Sequence, residues 1–167
     1  MNSKFSCPKC KKLLDISTNE LICNDCKIMY SNKEGHIDFL GERDFKIVDI
    51  SKDKLNEMIQ NISSYGYEKA SLQFLKDPII KPHLLDVKSA DSIFHCIGKN
   101  NLRCLEIGSN LGKITENLSN IFHEVYSLET SKEKIEIQKY RFEYLNQKNI
   151  ILIRGNPLEL PFPENYF

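Results

Sequence analysis

The sequence predicts an α/β fold, namely the amino-terminal half of a doubly wound parallel sheet preceded by a small cysteine-rich module. Three observations support this fold class. Apolar runs alternate with segments of helical period from residue 102 onward, a glycine-containing loop joins the first run to the first helix, and two Cys-x-x-Cys pairs stand near the amino terminus. Alternating strands and helices are typical of a parallel sheet covered by helices.

The cysteine-rich module comes first in the chain. Cys7 and Cys10 form one Cys-x-x-Cys pair, and Cys23 and Cys26 form another after 12 intervening residues. Each pair can bind one side of a tetrahedral zinc ion, and the residues between them suit a hairpin that brings the pairs together. We therefore predict a four-cysteine zinc site in residues 1–40, with disulfides as the weaker alternative. The first residues are polar and lack the apolar stretch of a secretion signal, so we expect a cytoplasmic protein.

Residues 41–100 are predicted to be a linker and a helical extension. The charged stretch 41–50 has no steady period and is interpreted as a hinge. Ser51 then precedes a segment with apolar residues at i, i+3, i+4 and i+7, which predicts an amphipathic helix. The stripe consists of Leu55, Met58, Ile59 and Ile62.

The first strand, loop and helix of the predicted sheet lie at residues 102–107, 108–112 and 113–121. Such a loop sits at the carboxyl edge of a sheet, where glycines let backbone N–H groups approach a ligand and the helix N-terminus favours negative charge. This position predicts a nucleotide-like cofactor site, with an ordinary βα turn as the alternative. A dinucleotide fingerprint is excluded because Asn110 and Lys113 replace its second and third glycines.

Two further strands follow the loop. The second is predicted at Glu124–Glu129 and ends on Glu129, 17 residues beyond Gly112, close to the position of a ribose-binding acid. Residues 130–133 predict a capping box for a helix that reaches to about Gln147. The third strand is predicted at 149–154 and leads into Gly155 and Asn156.

Taken together, residues 102–167 resemble the class I S-adenosylmethionine-dependent methyltransferases of the type 11 kind, which have a Rossmann-like sheet. In that family an acid precedes a Gly-x-Gly-x-Gly loop, and another acid follows the third strand. Here Asn110 replaces the middle glycine, an exchange that asparagine tolerates because it accepts a positive φ, and Asn156 replaces the second acid. The resemblance implies that S-adenosylmethionine is bound by Glu106, Gly108, Ser109, Asn110, Gly112, Glu129 and Asn156.

The resemblance also implies a role for each of these residues. Gly108 and Gly112 would shape the loop around the methionine part, and Glu106 would support its amine. Glu129 would bind the ribose and Asn156 would face the adenine. Tyr65 and Tyr67 are candidates for covering the methionine end, with core packing as the alternative.

Residues 5–40 resemble the zinc ribbon that precedes the catalytic domain in many bacterial and archaeal methyltransferases, and we call residues 1–40 the ribbon. Comparable ribbons are thought to help engage RNA in ribosomal RNA methyltransferases. The chain, however, has 23 basic and 23 acidic residues, without the basic excess of a phosphate-tracking surface. The resemblance thus implies a methyltransferase acting on a small metabolite or precursor, in preference to an RNA base. The alternative is a non-catalytic zinc-ribbon binding or activator protein with a degenerate half-domain.

The resemblance covers only strands 1 to 3 of the family's sheet. We hypothesise that the chain is truncated at its carboxyl end, that its catalytic residues lie beyond residue 167, and that these 167 residues alone are inactive. One edge of strand 1 would then be exposed and available to a partner. No apolar run approaches 18 residues, so we expect no membrane span.

Overall fold

The computed structural model describes residues 4–43, 49–85, 94 and 96–167. Within these residues, seven strands form one mixed sheet in the order β1-β2-β3-β4-β7-β6-β5, and five helices pack around it. The strands are β1 Asp15–Ile16, β2 Glu20–Cys23, β3 Ile28–Lys33, β4 His36–Asp38, β5 Arg103–Ile107, β6 Glu124–Glu129 and β7 Ile150–Arg154. The helices are α1 Lys52–Tyr65, α2 Tyr67–Phe74, α3 Lys81–Leu85, α4 Lys113–Ser119 and α5 Lys132–Tyr144.

The carboxyl-terminal half is the predicted α/β unit. Strands β5, β6 and β7 are parallel, with Leu105 opposite Tyr126 and Tyr126 opposite Ile151. Helices α4 and α5 make the two crossovers, as parallel neighbours require. Each strand lies within one residue of its predicted bounds, and β5 forms one edge of the sheet. The predicted half of a Rossmann-like sheet is confirmed.

The ribbon extends the same sheet. Its strands β1 to β4 are antiparallel, but β4 pairs in parallel with β7, so that Ile37 lies opposite Ile153. Arg154 closes this junction by donating from Nη1 to both carboxylate oxygens of Asp38 and from Nε to the Thr130 carbonyl. Nothing local in the sequence signals this pairing. The partition into residues 1–40, 41–100 and 101–167 remains a prediction.

Two apolar cores hold these layers together. The first joins the ribbon to one face of the parallel strands and contains Phe5, Leu14, Leu21, Tyr30, Phe39, Tyr126, Leu128 and Ile153. The second lies between α1 to α3 and the loop after β5, and contains Leu55, Met58, Ile62, Phe74, Ile80, Leu84, Leu111 and Ile137. The helical segment, residues 49–85, therefore packs directly on the loop that the sequence singles out.

The helix starts follow the sequence with one correction, whereas α4 and α5 end at Ser119 and Tyr144, two to three residues before the predicted 121 and 147. Ser51 caps α1, as predicted, because its Oγ accepts from the Lys54 amide. The predicted capping box at residues 130–133 is wrong by one position: Ser131 is the N-cap of α5 and accepts from the Lys134 amide. The amide and hydroxyl of Thr130 instead donate to Glu129 Oε1, so Thr130 does not cap the helix.

Some of the sequence predictions fall outside the described residues. These are 44–48 of the hinge and 86–93 and 95 of the helical extension. None of the helices in the described part of the chain is long and apolar enough to cross a membrane.

Candidate cofactor crevice and cysteine cluster

The loop after β5 takes an unusual backbone path. Gly108, Asn110 and Gly112 have φ values of 76°, 53° and 81°, so every second residue lies in the left-handed region. The expectation that Asn110 tolerates this conformation is confirmed. A Cβ at position 112 would meet Phe142 Cζ at 2.6 Å, so this glycine also permits close packing of the loop on α5.

A buried glutamine holds the loop in place. Gln138 Nε2 donates to Ser109 Oγ at 2.9 Å and to the Asn110 carbonyl at 2.6 Å. Its Oε1 accepts from Ser127 Oγ at 2.7 Å. All three side chains are buried or nearly so. A buried amide with its donors and acceptor satisfied fixes the loop without any ligand. Sequence reasoning missed Gln138, and only its position on the buried stripe of α5 could have indicated it.

Glu129, at the end of β6, is also held by protein donors. Its Oε2 accepts from the Asn110 amide at 2.9 Å, and its Oε1 accepts from the amides of Thr130 and Ser131 at 2.7 and 3.1 Å. The residue is 6% exposed and lines a cavity of about 150 Å³ together with Gly108 and Asn110. Since a carboxylate has about four lone-pair sites, Oε2 retains one for a hydroxyl donor.

Glu106, near the end of β5, lies on the other side of the loop. It lines a second cavity of about 340 Å³ that also contains Gly108, Ser109 and Asn110. Burial raises the pKa of Glu106 to about 7; the hydroxyl of Thr115, which donates to its Oε2, opposes the shift, and the charge of Glu129 adds to it. Near neutral pH this carboxyl therefore populates both protonation states.

A buried chain of hydroxyl groups connects Glu106 to Gln138. Thr115 donates to Glu106, Ser127 donates to Gln138, and the Thr115 and Ser127 oxygens lie 3.4 Å apart. With Glu106 ionised, both hydroxyl protons are already in use and none lies between the two oxygens. A proton on Glu106 would release the Thr115 proton to bridge them.

Asp49 and Lys134, which the sequence analysis did not identify, also line the smaller cavity. They form an ion pair with 2.7 Å between Asp49 Oδ1 and Lys134 Nζ, and the Lys134 side chain is 6% exposed. Although burial opposes ionisation, the hydrogen bond and charge of Lys134 hold the pKa of Asp49 below its usual value. His83 lines the larger cavity. No local motif marks these residues, because Asp49 and His83 reach the loop only through the packing of the helical segment, and Lys134 reaches it from α5.

Three residues that the sequence analysis assigned to the cofactor site, Asn156, Tyr65 and Tyr67, do not line the two cavities. Asn156 is absent from the lining of both cavities, and its Oδ1 accepts from the Leu158 amide, whereas its neighbour Pro157 lines the smaller cavity. Tyr65 is 62% exposed, and Tyr67 packs on Tyr144 with ring centroids 5.6 Å apart. Neither tyrosine lines the two cavities. The assignment of individual residues to a cofactor remains a prediction.

The four ribbon cysteines converge as predicted. Their Sγ atoms all lie within 4.8 Å of one another, and those of Cys10 and Cys23 are 3.5 Å apart. A tetrahedral ion with metal–sulfur bonds of about 2.3 Å separates its sulfur ligands by about 3.8 Å. No disulfide joins these four cysteines, and the hairpin of β1 and β2 brings the two pairs together. The donor set and its spacing fit zinc.

Comparison with known proteins gives one family match. Residues 105–167 match the family model described as "Methyltransferase domain". A curated relative from Thermococcus sibiricus, described as "Probable ribosomal RNA small subunit methyltransferase A", is 36% identical over 66 residues. That match covers 40% of this chain, and the chain spans 23% of the relative's length.

Solved structures with partial similarity were also found. The YcgJ protein of Bacillus subtilis is 22% identical, with a TM-score of 0.43 over 45% of this chain and 32% of that one. A dimethyladenosine transferase of Plasmodium falciparum is 24% identical, with a TM-score of 0.43 over 47% and 29%. A SAM-dependent methyltransferase of Thiobacillus denitrificans in complex with S-adenosyl-L-homocysteine is 18% identical, with a TM-score of 0.38 over 42% and 30%.

Proposed function

We propose that this chain binds S-adenosylmethionine and contributes the cofactor-binding half of a class I methyltransferase. One observation carries the proposal: Glu106 and Glu129 flank one loop with alternating positive φ values at the ends of paired parallel strands. The match of residues 105–167 to a methyltransferase domain supports it. The chain spans 23% of the curated relative's length, so that match does not extend to a whole enzyme. Methyl transfer by the whole protein is therefore itself proposed.

We call the two cavities beside residues 108–112 the crevice. Each of the two cavities would hold a different part of the cofactor. Glu129 Oε2 would accept from a ribose hydroxyl, and ionised Glu106 would pair with the ammonium group of the methionine part. Gly108, Ser109 and Gly112 would shape the loop around that part, and Asn156 with Pro157 would lie near the adenine. S-adenosylmethionine supplies an electrophilic methyl group, so the chain's residues would act by orienting it.

The ribbon cysteines are proposed to hold one Zn²⁺. Cys7, Cys10, Cys23 and Cys26 would occupy all four positions of a tetrahedral ion, which leaves no open position for a substrate. The site would therefore be structural. Metal analysis of the purified chain should give one zinc per chain, and a metal-free folded chain would contradict this proposal.

The methyl acceptor is proposed to be a small metabolite or precursor in preference to an RNA base. The equal numbers of basic and acidic residues support this order. RNA remains the second candidate because the curated relative's name refers to ribosomal RNA. Methyl transfer to total RNA by the longest available form of the protein would reverse the order.

A non-catalytic binding or activator protein is the alternative function. The observation that favours it is the turn at Asn156. This residue replaces the acid that the family has at that position, and its side-chain oxygen already accepts from the Leu158 amide.

Calorimetric titration of the full chain with S-adenosylmethionine and S-adenosylhomocysteine tests the proposal. We expect saturable binding that Glu129→Gln weakens at least tenfold, because the neutral amide loses charge-assisted acceptance from the ribose. Glu143→Gln is the matched control, since Glu143 is an exposed glutamate on α5 that lines neither cavity of the crevice. A folded, zinc-containing chain that binds neither ligand would contradict the enzyme proposal and favour the alternative.

A further inference from the structure

The side chain of Asn110 links the crevice loop to the helical segment. Its Nδ2 donates to Asp49 Oδ2 at 2.8 Å and to His83 Nδ1 at 3.0 Å. Asp49 lies just before α1 and His83 lies within α3, so these bonds span 61 and 27 residues of the chain. One amide group therefore joins three segments that are distant in sequence.

Asn110 also lines both cavities of the crevice, together with Gly108. Asp49 lines the smaller cavity beside Glu129, and His83 lines the larger cavity beside Glu106. Asn110 thus contacts one lining residue from the helical segment in each cavity, and we call these two residues, Asp49 and His83, the outer walls.

We propose that Asn110 is a positioning residue that fixes the outer walls of both cavities and makes the helical segment part of the ligand site. The inference rests on the proposed function for the identity of the ligand. Asn110 stands where the methyltransferase family has the middle glycine of its loop. A glycine could follow the same backbone path, but it would leave Asp49 and His83 without this link.

The charges around Asn110 agree with a donor at this position. Asp49 Oδ1 already accepts from Lys134 Nζ and from the Ile50 amide, so Oδ2 is the oxygen that needs the amide proton. Lys134 is buried and holds Asp49 ionised. An ionised acceptor strengthens the bond from the amide.

The bond to His83 requires a neutral imidazole. Since the Asn110 amide donates to Nδ1, the ring must carry its proton on Nε2. Burial lowers the pKa of His83, which keeps the acceptor form at neutral pH. The charged groups that face the ring or share its cavity are Asp49, Lys134, Glu106 and Lys113. Protonation of His83 would set two donors against each other and break the link.

Substitutions at positions 110 and 49 test the proposal by exchanging donor and acceptor. Asn110→Gly removes the link, and Asn110→Asp sets a carboxylate against Asp49. In the double variant Asn110→Asp with Asp49→Asn, the amide at position 49 donates to the carboxylate at position 110, and its oxygen still accepts from Lys134. Asn146→Gly is the matched control, because Asn146 is an exposed asparagine at φ 51° after α5.

Hydrogen exchange of the helical segment without ligand is the first measurement. We expect at least fivefold faster exchange in α1 and α3 for Asn110→Gly, a larger increase for Asn110→Asp, and recovery in the double variant. Because no ligand is present, this result is independent of the proposed function. Wild-type exchange in Asn110→Gly, or a double variant no slower than Asn110→Asp, would overturn the inference.

Titration with S-adenosylmethionine is the second measurement. We expect Asn110→Gly to bind about tenfold more weakly and the double variant to bind within about threefold of wild type near pH 6. Protonation of Glu106 should weaken binding in both proteins as the pH falls, so the ratio of the two affinities is the readout. Wild-type binding should weaken relative to that of the double variant as His83 protonates, because the carboxylate of the double variant accepts from the protonated ring. A ratio that does not change with pH would overturn the role of Asn110. A wild-type chain that binds no ligand would overturn the proposed function alone.

Discussion

The cysteine cluster and the crevice are assembled in opposite ways. The four cysteines lie between residues 7 and 26, and one hairpin brings them together. The crevice draws on residues from Asp49 to Pro157, which meet only through a parallel sheet and a packed helical segment. Local spacing in the sequence therefore determines the first site, whereas tertiary packing determines the second.

The two sites also differ in whether their folding should depend on a bound ligand. Four thiolates in one cluster repel each other until a cation binds them, so metal binding and folding of the ribbon are coupled. The crevice carboxylates already have partners in the protein, such as Lys134 for Asp49 and three backbone amides for Glu129. We therefore expect the first ligand to be needed for folding and the second to be dispensable for it.

Loss of a cysteine ligand should have the largest effect on stability. Cys23→Ser should abolish stoichiometric zinc and lower the free energy of unfolding by about 5 kcal/mol or more, because structural zinc contributes folding energy directly. Chemical unfolding followed by circular dichroism, with metal analysis, measures both. Cys96→Ser is the control, as Cys96 is exposed and lies outside the cluster. A Cys23→Ser variant that unfolds like wild type would show that the two sites do not differ in this way.

Breaking the junction between the two regions should have the next largest effect. Arg154→Met removes the pair with Asp38, in which the arginine side chain is only 6% exposed. The substitution removes the charged partner of the partly buried Asp38 and the donor to the carbonyls of Thr130, Gly41 and Arg43, so a cost of about 3–5 kcal/mol is expected. Arg43→Met is the control, because Arg43 pairs with Glu159 at 53% exposure and should cost less than about 1 kcal/mol. Equal losses in urea unfolding would mean that the junction does not join the regions energetically.

The crevice loop should respond differently at its two glycines. Gly112→Ala combines a positive φ with a contact of 2.6 Å to Phe142 and should cost about 3 kcal/mol. Gly108→Ala shares the positive φ but meets nothing within 4 Å, so about 1 kcal/mol is expected. Urea unfolding of both variants gives the difference. Similar costs would show that α5 moves to accept the methyl group.

The smallest effect should come from the protonation of Glu106. Its folded-state pKa of about 7 lies above the unfolded value, so the folded protein holds more protons between the two. The stability of the wild type should therefore fall as the pH rises through 7, relative to Glu106→Gln. We expect the difference to change by on the order of 1 kcal/mol between pH 5.5 and 8 in urea unfolding. No change with pH would indicate that the Glu106 carboxyl is solvated.

The sequence predicted those parts that local chemistry determines. Apolar runs with a turn at each end gave β5, β6 and β7, and the cysteine spacing gave the cluster. The left-handed conformation of Asn110 followed from the residue type. In each case a short stretch of chain contains the whole cause.

The remaining features depend on contacts between distant segments. The pairing of β4 with β7, the Asp49 and His83 walls and the buried Gln138 each require a partner more than 25 residues away. A buried lysine such as Lys134 also has no sequence signature, because the pattern of α5 is the same whether its partner is water or Asp49. Sequence spacing alone could not have identified them.

The pairing of β4 with β7 has a consequence for folding during translation. Asp38 and Arg154, which meet at this junction, are 116 residues apart in the chain. At about 5–20 residues per second, translation would leave the β4 edge uncovered for roughly 6 to 23 s. During that interval a metal-loaded ribbon would present an open strand edge to other nascent chains. Synthesis of β7 and its pairing with β4 would end this exposure.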